Sequence, residues 1–164
     1  MQPPNRCLRD PSMLSDDVFR DRLEQTLVDI ERWAATIRDC AGVGIAASDR
    51  YWRIAVVPEE DLACAFELMI RSDQKFGLKL AAETYEDRPI ERFDIFPALV
   101  RAIEAGRVDK IEMYNTMTDA LVGIATRVEL EPGWDWIGDR RISRATVAEE
   151  WRTRRFLPYR RSRP

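Results

Sequence analysis

Apolar residues recur at helical spacing early in the chain, and this pattern constrains the fold more than any other feature. The positions are Phe19, Leu23, Leu27, Ile30, Trp33 and Ile37. They share one face of a helix of about six turns. Ser15 precedes the pattern as a capping residue, and the two aspartates after it would stabilise the helix dipole. We therefore predict a long amphipathic helix over residues 15–39, ended by Gly42 and Gly44.

Two later segments, residues 51–57 and 76–85, alternate with the period of a β-strand. Between them, Pro58 and the three acidic residues after it are typical of a helix start. The apolar stripe of this second helix comprises Leu62, Phe66, Met69 and Ile70. Strand, helix and strand in close succession predict a right-handed crossover unit.

The second half of the chain predicts a third helix and a hairpin. Asp94 can cap the helix, and Gly106 can end it. Residues 108–114 and 120–130 are predicted strands of an antiparallel hairpin. The segment after Pro132 and Gly133 is predicted as an aromatic turn over residues 134–138, followed by a last helix that starts at Ser143 or Thr146.

This order of elements predicts an α+β fold with a mixed or antiparallel sheet of about four strands and helices mainly on one face. A ferredoxin-like arrangement with an added N-terminal helix is one such fold. The 164 residues suffice for one domain with its own core. We assign residues 1–14 to a flexible N-terminal arm, residues 15–150 to a single domain and residues 151–164 to an arginine-aromatic tail.

Charge is distributed unevenly along the chain. Residues 137–164 hold nine arginines and three acidic residues, whereas residues 1–136 hold 17 basic and 26 acidic residues. An acidic body and a basic tail need different partners. The tail is therefore the segment that we expect to bind another molecule.

Several classes of chemistry are disfavoured by composition. The chain has no histidine, which removes Ser-His-Asp and Cys-His catalysis and the usual nitrogen ligand of zinc. The three cysteines lack CxxC spacing, and Cys40 and Cys64 fit as small buried residues. No apolar run has the length of a membrane helix, and the N-terminus lacks the pattern of a secretory signal. We expect a cytoplasmic protein without cofactor or metal, and the composition disfavours an enzyme.

The tail interleaves aromatic side chains with guanidinium groups. Its candidate partner-binding residues are Trp151, Arg152, Arg154, Arg155, Phe156, Tyr159, Arg160 and Arg161. Arginine binds carboxylate or phosphate through two parallel hydrogen bonds, and aromatic side chains anchor many interfaces. In the alternative interpretation, the aromatic side chains cover the sheet and the arginines pair with the acidic body.

A second candidate site consists of carboxylates, phenols and indoles near the sheet. Its residues are Glu83, Tyr85, Glu112, Tyr114, Trp134 and Trp136. If the strands are neighbours, the first four side chains converge into a cluster able to bind a metal or a proton. The tryptophans would stack on a ring or sugar, or would instead plug the open end of the sheet.

The sequence favours a non-catalytic protein-binding domain, such as an accessory subunit, adaptor or inhibitor, that docks through its tail. The first alternative is a small enzyme or ligand-binding domain that uses the carboxylates and tyrosines. The second is nucleic-acid binding through the tail, which a pI near 5.2 disfavours. The partner is expected to be another protein, or a second copy that pairs through an edge strand or the long helix.

Overall fold

The computed structural model describes residues 13–131, 134–144 and 148–160. Within these residues the chain forms two helices and two antiparallel sheets. The α+β class is therefore confirmed. The single sheet of about four strands is wrong, because the strands divide into one sheet of five and one of four.

The first sheet is a meander that follows the long helix. Its elements are α1 (Asp16–Thr36), β1 (Ala41–Ala47), β2 (Tyr51–Pro58), β3 (Phe66–Arg71), β4 (Lys75–Leu80) and β5 (Glu83–Pro89). The five strands lie in the order β1-β2-β3-β4-β5, and each is antiparallel to its neighbour.

The second sheet follows a shorter helix. Its elements are α2 (Ile95–Glu104), β6 (Val108–Asn115), β7 (Leu121–Glu131), β8 (Trp134–Arg141) and β9 (Glu149–Arg155). The strand order is β8-β7-β6-β9. The predictions of α1, β2, α2 and the β6–β7 hairpin are confirmed within a few residues.

The predicted crossover unit is wrong. The second predicted helix is replaced by a connection and β3, in which Phe66, Leu68 and Ile70 are buried while Glu67 and Met69 are half-buried. That period of two suits a strand hydrogen-bonded on both sides. Phe66 and Ile70 of the predicted helical stripe are four residues apart, a spacing that fits a helix and a strand equally well.

Two further boundaries differ from the prediction. Residues 76–85 form parts of two strands, β4 and β5, that are joined by a tight turn at Ala81, whose φ of 51° is left-handed. Gly42 and Gly44 lie inside β1 instead of ending the helix. Alternation continues across the turn, and glycines weaken the strand signal, so both features were hidden in the sequence.

The C-terminal region also differs from the prediction. The aromatic turn at residues 134–138 is part of β8, and β9 occupies the place of the predicted last helix. Thr146 lies outside the described residues, as do residues 1–12 of the predicted arm. Leu14, at the end of that arm, exchanges two hydrogen bonds with the side chain of Gln74.

One continuous core fills the space between the helices and the inner faces of the sheets. Its fully buried side chains include Ile30, Ile37, Ile54, Leu68, Leu78, Phe96, Leu99, Val100 and Ile103. Val122, Ile124 and Val128 bury the inner face of β7 on the same side as Thr126. The opposite face of the second sheet is exposed at its two edge strands, and Arg155 of β9 lies on that face beside Asp109.

Candidate functional site

The C-terminal segment is built into the fold. Strand β9 pairs with β6 from Arg155 opposite Asp109 to Glu149 opposite Asn115. Beyond it, Phe156 and Tyr159 are only 8% and 3% exposed. The Tyr159 hydroxyl donates to the Cys64 carbonyl at 2.8 Å, and burial raises the pKa of this phenol. Two of the predicted anchors are therefore core residues.

The close approach of the C-terminal segment to α2 requires a glycine. Gly106 has a φ of +74°, and a Cβ at this position would lie 2.6 Å from the backbone nitrogen of Pro158. The Tyr159 amide donates to the Glu104 carbonyl at the end of α2. The chain after β9 thus packs against the C-terminus of α2.

A buried carboxylate organises the arginines at one end of the outer face of the second sheet. Asp109 on β6 stands opposite Arg127 on β7 and Arg155 on β9. Arg155 donates from Nε at 2.9 Å and Arg127 from Nη2 at 2.7 Å. Arg155 also reaches Glu129 at 3.1 Å. The hydrogen bonds from Arg155 and Arg127 hold the pKa of Asp109 below its usual range, although burial opposes them.

The remaining tail arginines differ in their partners. Arg152 donates to Asp119 at 2.9 Å and to Glu150, and its guanidinium lies 4.1 Å from the centre of the Tyr114 ring. Arg160 bonds to Asp39 and to the Thr36 carbonyl. Arg154 stacks on Phe156 at 5.0 Å. Arg161 lies outside the described residues.

Trp151 is the most exposed aromatic side chain among the described residues, at 65%. It lies on the outer face of β9, opposite Met113 on β6. Residues paired across neighbouring strands have their side chains on the same face, so further apolar residues lie on the outer face with Trp151. We call this set the Trp151 surface, and it comprises Ile111, Met113, Ala125, Ile137 and Trp151.

Ion pairs bound the Trp151 surface at both ends. The Asp109 cluster lies at one end, where Ile137 stands opposite Arg127 and is 56% exposed. Arg141 lies at the other end and donates to Glu149 at 2.7 Å. Ile111, Met113 and Ala125 thus lie between the two charged ends, and Trp151 and Ile137 stand on the two edge strands at opposite corners of this face. Thr153 and Asp139 occupy the edge positions of the middle row.

The carboxylates and tyrosines of the second candidate site form two separate groups, of which Glu83 and Tyr85 lie at the junction of the two sheets. Glu83 accepts two hydrogen bonds from Arg140 at 3.0 and 3.1 Å, and this pairing lowers the pKa of Glu83. Tyr85 is buried and bonds to Thr126 at 2.7 Å; burial raises the pKa of its phenol. Both groups thus have their polar atoms occupied by protein.

Glu112 and Tyr114 form the other half of that predicted cluster. The Tyr114 hydroxyl donates to Glu112 at 2.9 Å, and Lys110 lies 3.5 Å from the same carboxylate. Across residues 13–131, 134–144 and 148–160, no group of three or more acidic or cysteine residues is placed to hold a metal ion.

The two tryptophans of β8 have different environments. Trp136 is 8% exposed and packs edge-to-face against Tyr85, with ring centres 5.3 Å apart. Trp134 is half-buried, and the guanidinium of Arg92 lies 4.4 Å from its ring centre. Trp136 therefore closes the space between the two sheets.

Sequence reasoning missed the β6 and β7 residues of the Trp151 surface. Lys110, Glu112 and Tyr114, which give the strand its polar pattern, occupy its other face. The intervening residues, Ile111 and Met113, carried the missing signal. A strand with apolar residues at positions of both parities is typical of a sheet with two contact faces.

No helix in the described part of the chain is long and apolar enough to cross a membrane. Cys40 and Cys64 are free thiols, and burial raises the pKa of Cys64 to about 12. Comparison with protein-family models, with curated proteins and with solved structures finds no match to this chain.

Proposed function

We propose that the protein is a non-catalytic binding domain, an accessory subunit, adaptor or inhibitor, that docks on another protein through the Trp151 surface. The exposure of Trp151 carries this proposal: it is 65% exposed, whereas Phe156 and Tyr159 on the same segment are buried. A large exposed aromatic residue on a rigid strand is typical of the anchor of an interface.

The surroundings of Trp151 support a protein partner. Met113 stands opposite Trp151, Ile111 and Ala125 lie in the next row of the same face, and ion pairs flank these residues at each end of the sheet face. An apolar centre with a polar rim is the usual anatomy of a protein interface. Because strand pairing fixes the backbone of β9, binding would cost little conformational entropy there.

The charges favour a protein over a nucleic acid. Arg127, Arg152 and Arg155 each pair with carboxylates of the same chain. A phosphate backbone would have to compete with those carboxylates for the guanidinium groups. The partner that fits is an apolar pocket with a polar rim, able to receive an indole ring.

The proposal includes a cytoplasmic setting. Cys40 and Cys64 are free thiols, a state typical of reducing compartments. The second candidate site supports ligand binding less well, because the polar groups of Glu83 and Tyr85 are engaged by Arg140 and Thr126.

Replacement of Trp151 tests the proposal. We expect Trp151→Ala to lose the partners that the wild-type chain captures from its native lysate, with the free energy of unfolding changed by less than about 0.5 kcal/mol because the side chain is exposed. Tyr51→Ala, at an exposed aromatic residue of the first sheet, is the matched control and should retain them. Capture that is unchanged by Trp151→Ala would refute the proposal, and capture abolished by nuclease would indicate nucleic acid instead.

A further inference from the structure

Strand β1 is an open edge without charge. Its sequence is Ala-Gly-Val-Gly-Ile-Ala-Ala, with no charged residue and no proline. Within the described residues its strand neighbour is β2 alone. Residues 44–47 are all exposed, and Ile45 is 41% exposed. Among the described residues, no strand pairs with the outer backbone groups of this edge.

The other sheet edges are protected. Strand β5 borders the second sheet, where Glu83 and Tyr85 are buried. Strands β8 and β9, the edges of the second sheet, both carry charged residues. These include Arg140 and Arg141 on β8 and Glu149, Glu150, Arg152, Arg154 and Arg155 on β9. Edge strands are commonly guarded by charge, proline or cover, because an open edge pairs with other chains. Strand β1 lacks charge and proline.

The hydrogen bonds at the ends of β1 fix which of its backbone groups face outward. The Cys40 carbonyl accepts from the Glu59 amide, and the Ser48 amide donates to the Tyr51 carbonyl. In an antiparallel pair the bonded positions alternate. Even-numbered residues of β1 therefore bond to β2, and the odd-numbered residues, Val43 and Ile45 among them, direct their amides and carbonyls to the free edge.

We propose that β1 pairs antiparallel with β1 of a second copy of this chain, with the two-fold axis at Gly44. The strand is nearly palindromic about that residue. Val43 then faces Ile45 of the second copy, so that β-branched residues meet each other. The remaining pairs join small residues: Gly42 with Ala46, Ala41 with Ala47, and Gly44 with itself.

This register agrees with the direction of the backbone groups. The outward-facing odd residues meet odd residues, so Val43 and Ile45 of opposite copies exchange hydrogen bonds. Gly44 falls on the intervening non-bonded pair, where the Cα atoms approach to about 4.5 Å. Gly44 has no atom within 4 Å of a Cβ built on it, so the axis is unobstructed within the monomer. Because the residue sequence of β1 is nearly palindromic about Gly44, the partner that fits this edge is a second copy of the same strand.

Pairing would join the two five-stranded sheets into one continuous sheet. Val43 and Ile45 have their side chains on the same inner face of the sheet as the buried Ala41. Each would gain an apolar neighbour from the other copy, which would reduce the exposure of Ile45. The contact is separate from the Trp151 surface, which lies on the second sheet, so one dimer would present two such surfaces.

Like charges at Gly44 test this register. Sedimentation velocity of the wild-type chain should give a mass of about twice 19.1 kDa. Gly44→Glu and Gly44→Lys should each sediment as monomers, because two like charges would meet at the axis. An equimolar mixture of the two variants should recover the dimer. Thr84→Glu is the control and should remain dimeric. Thr84 is an exposed residue of β5 on the same face of the first sheet as Gly44.

Three results would overturn the proposal: a monomeric wild-type chain at the highest soluble concentration, dimeric Gly44→Glu and Gly44→Lys variants, or a mixture that stays monomeric although both variants keep the wild-type circular dichroism. Trp151→Ala should still dimerise. Loss of the dimer in that variant would assign the contact to the second sheet instead.

Discussion

Strands β1 and β9 are both sheet edges, yet they handle the exposed edge in opposite ways. Strand β9 carries Glu149, Glu150, Arg152, Arg154 and Arg155, and ion pairs tie Arg152 and Arg155 to neighbouring elements. Strand β1 has no charge at all. The charges of β9 disfavour pairing of that edge with another chain, whereas the uncharged edge of β1 permits such pairing.

High charge does not by itself make a segment a free arm. Arg155 of β9 faces the carboxylates of Asp109 on β6 and Glu129 on β7, and the aromatic residues after β9 enter the core. The net charge of a segment therefore indicates little about its availability. What matters is whether the sheet supplies a partner at the opposite position.

Removal of β9 should have the largest effect on the stability of the fold. A chain that ends at Glu150 loses most of the strand together with Phe156 and Tyr159, which are buried. Loss of one buried aromatic side chain alone costs about 3–5 kcal/mol, so we expect this chain not to fold. Near-UV circular dichroism and thermal melting measure the outcome. A chain that ends at Arg160 is the control, and a cooperative melt of the shorter chain would show that β9 is dispensable.

Asp109→Asn should have an intermediate effect. The substitution leaves Arg127 and Arg155 without their shared carboxylate, and because both arginines are partly exposed we expect a loss of about 2 kcal/mol at pH 7. The folded pKa of Asp109 lies below its unfolded value. The stabilisation is therefore present above the unfolded pKa of about 3.9 and is lost as the pH falls through the folded pKa.

Urea unfolding of wild type and Asp109→Asn at pH 7 and pH 3 measures this difference. The gap between the two proteins should be smaller at pH 3. Asp135→Asn, whose carboxylate lies 3.8 Å from Arg127, should cost less at pH 7. A gap independent of pH would show that the carboxylate charge of Asp109 is not what stabilises the cluster.

Gly44→Thr, on β1, should have the smallest effect. Gly44 lacks positive φ and has open space around its Cβ position, so threonine should stabilise the strand by about 0.5 kcal/mol. Thermal melting measures the change. Gly138→Ala on β8 is the contrasting variant, because its Cβ would lie 2.6 Å from the Tyr85 ring and should destabilise the fold. Marked destabilisation by Gly44→Thr would contradict an open edge.

The candidate site was predictable only in part. The sequence identifies Trp151 and Arg155 as unusual residues, but it assigns the same role to Phe156 and Tyr159. Pairing between β9 and β6 separates them, because it turns Trp151 to the outer face while the chain beyond the strand enters the core. The importance of Asp109 is likewise visible only across three strands.

The long helix α1, the helix α2 and the β6–β7 hairpin could be predicted from the sequence because their signal is local. Helical hydrogen bonds and hairpin turns join residues that are near in the chain, so periodicity and turn residues suffice to reveal them. Tertiary structure alone decided that residues 66–71 form a strand, that β1 exists, and that the arginine-rich C-terminus completes a sheet. A strand is stabilised by distant partners, and the sequence of one strand does not contain the positions of its neighbours.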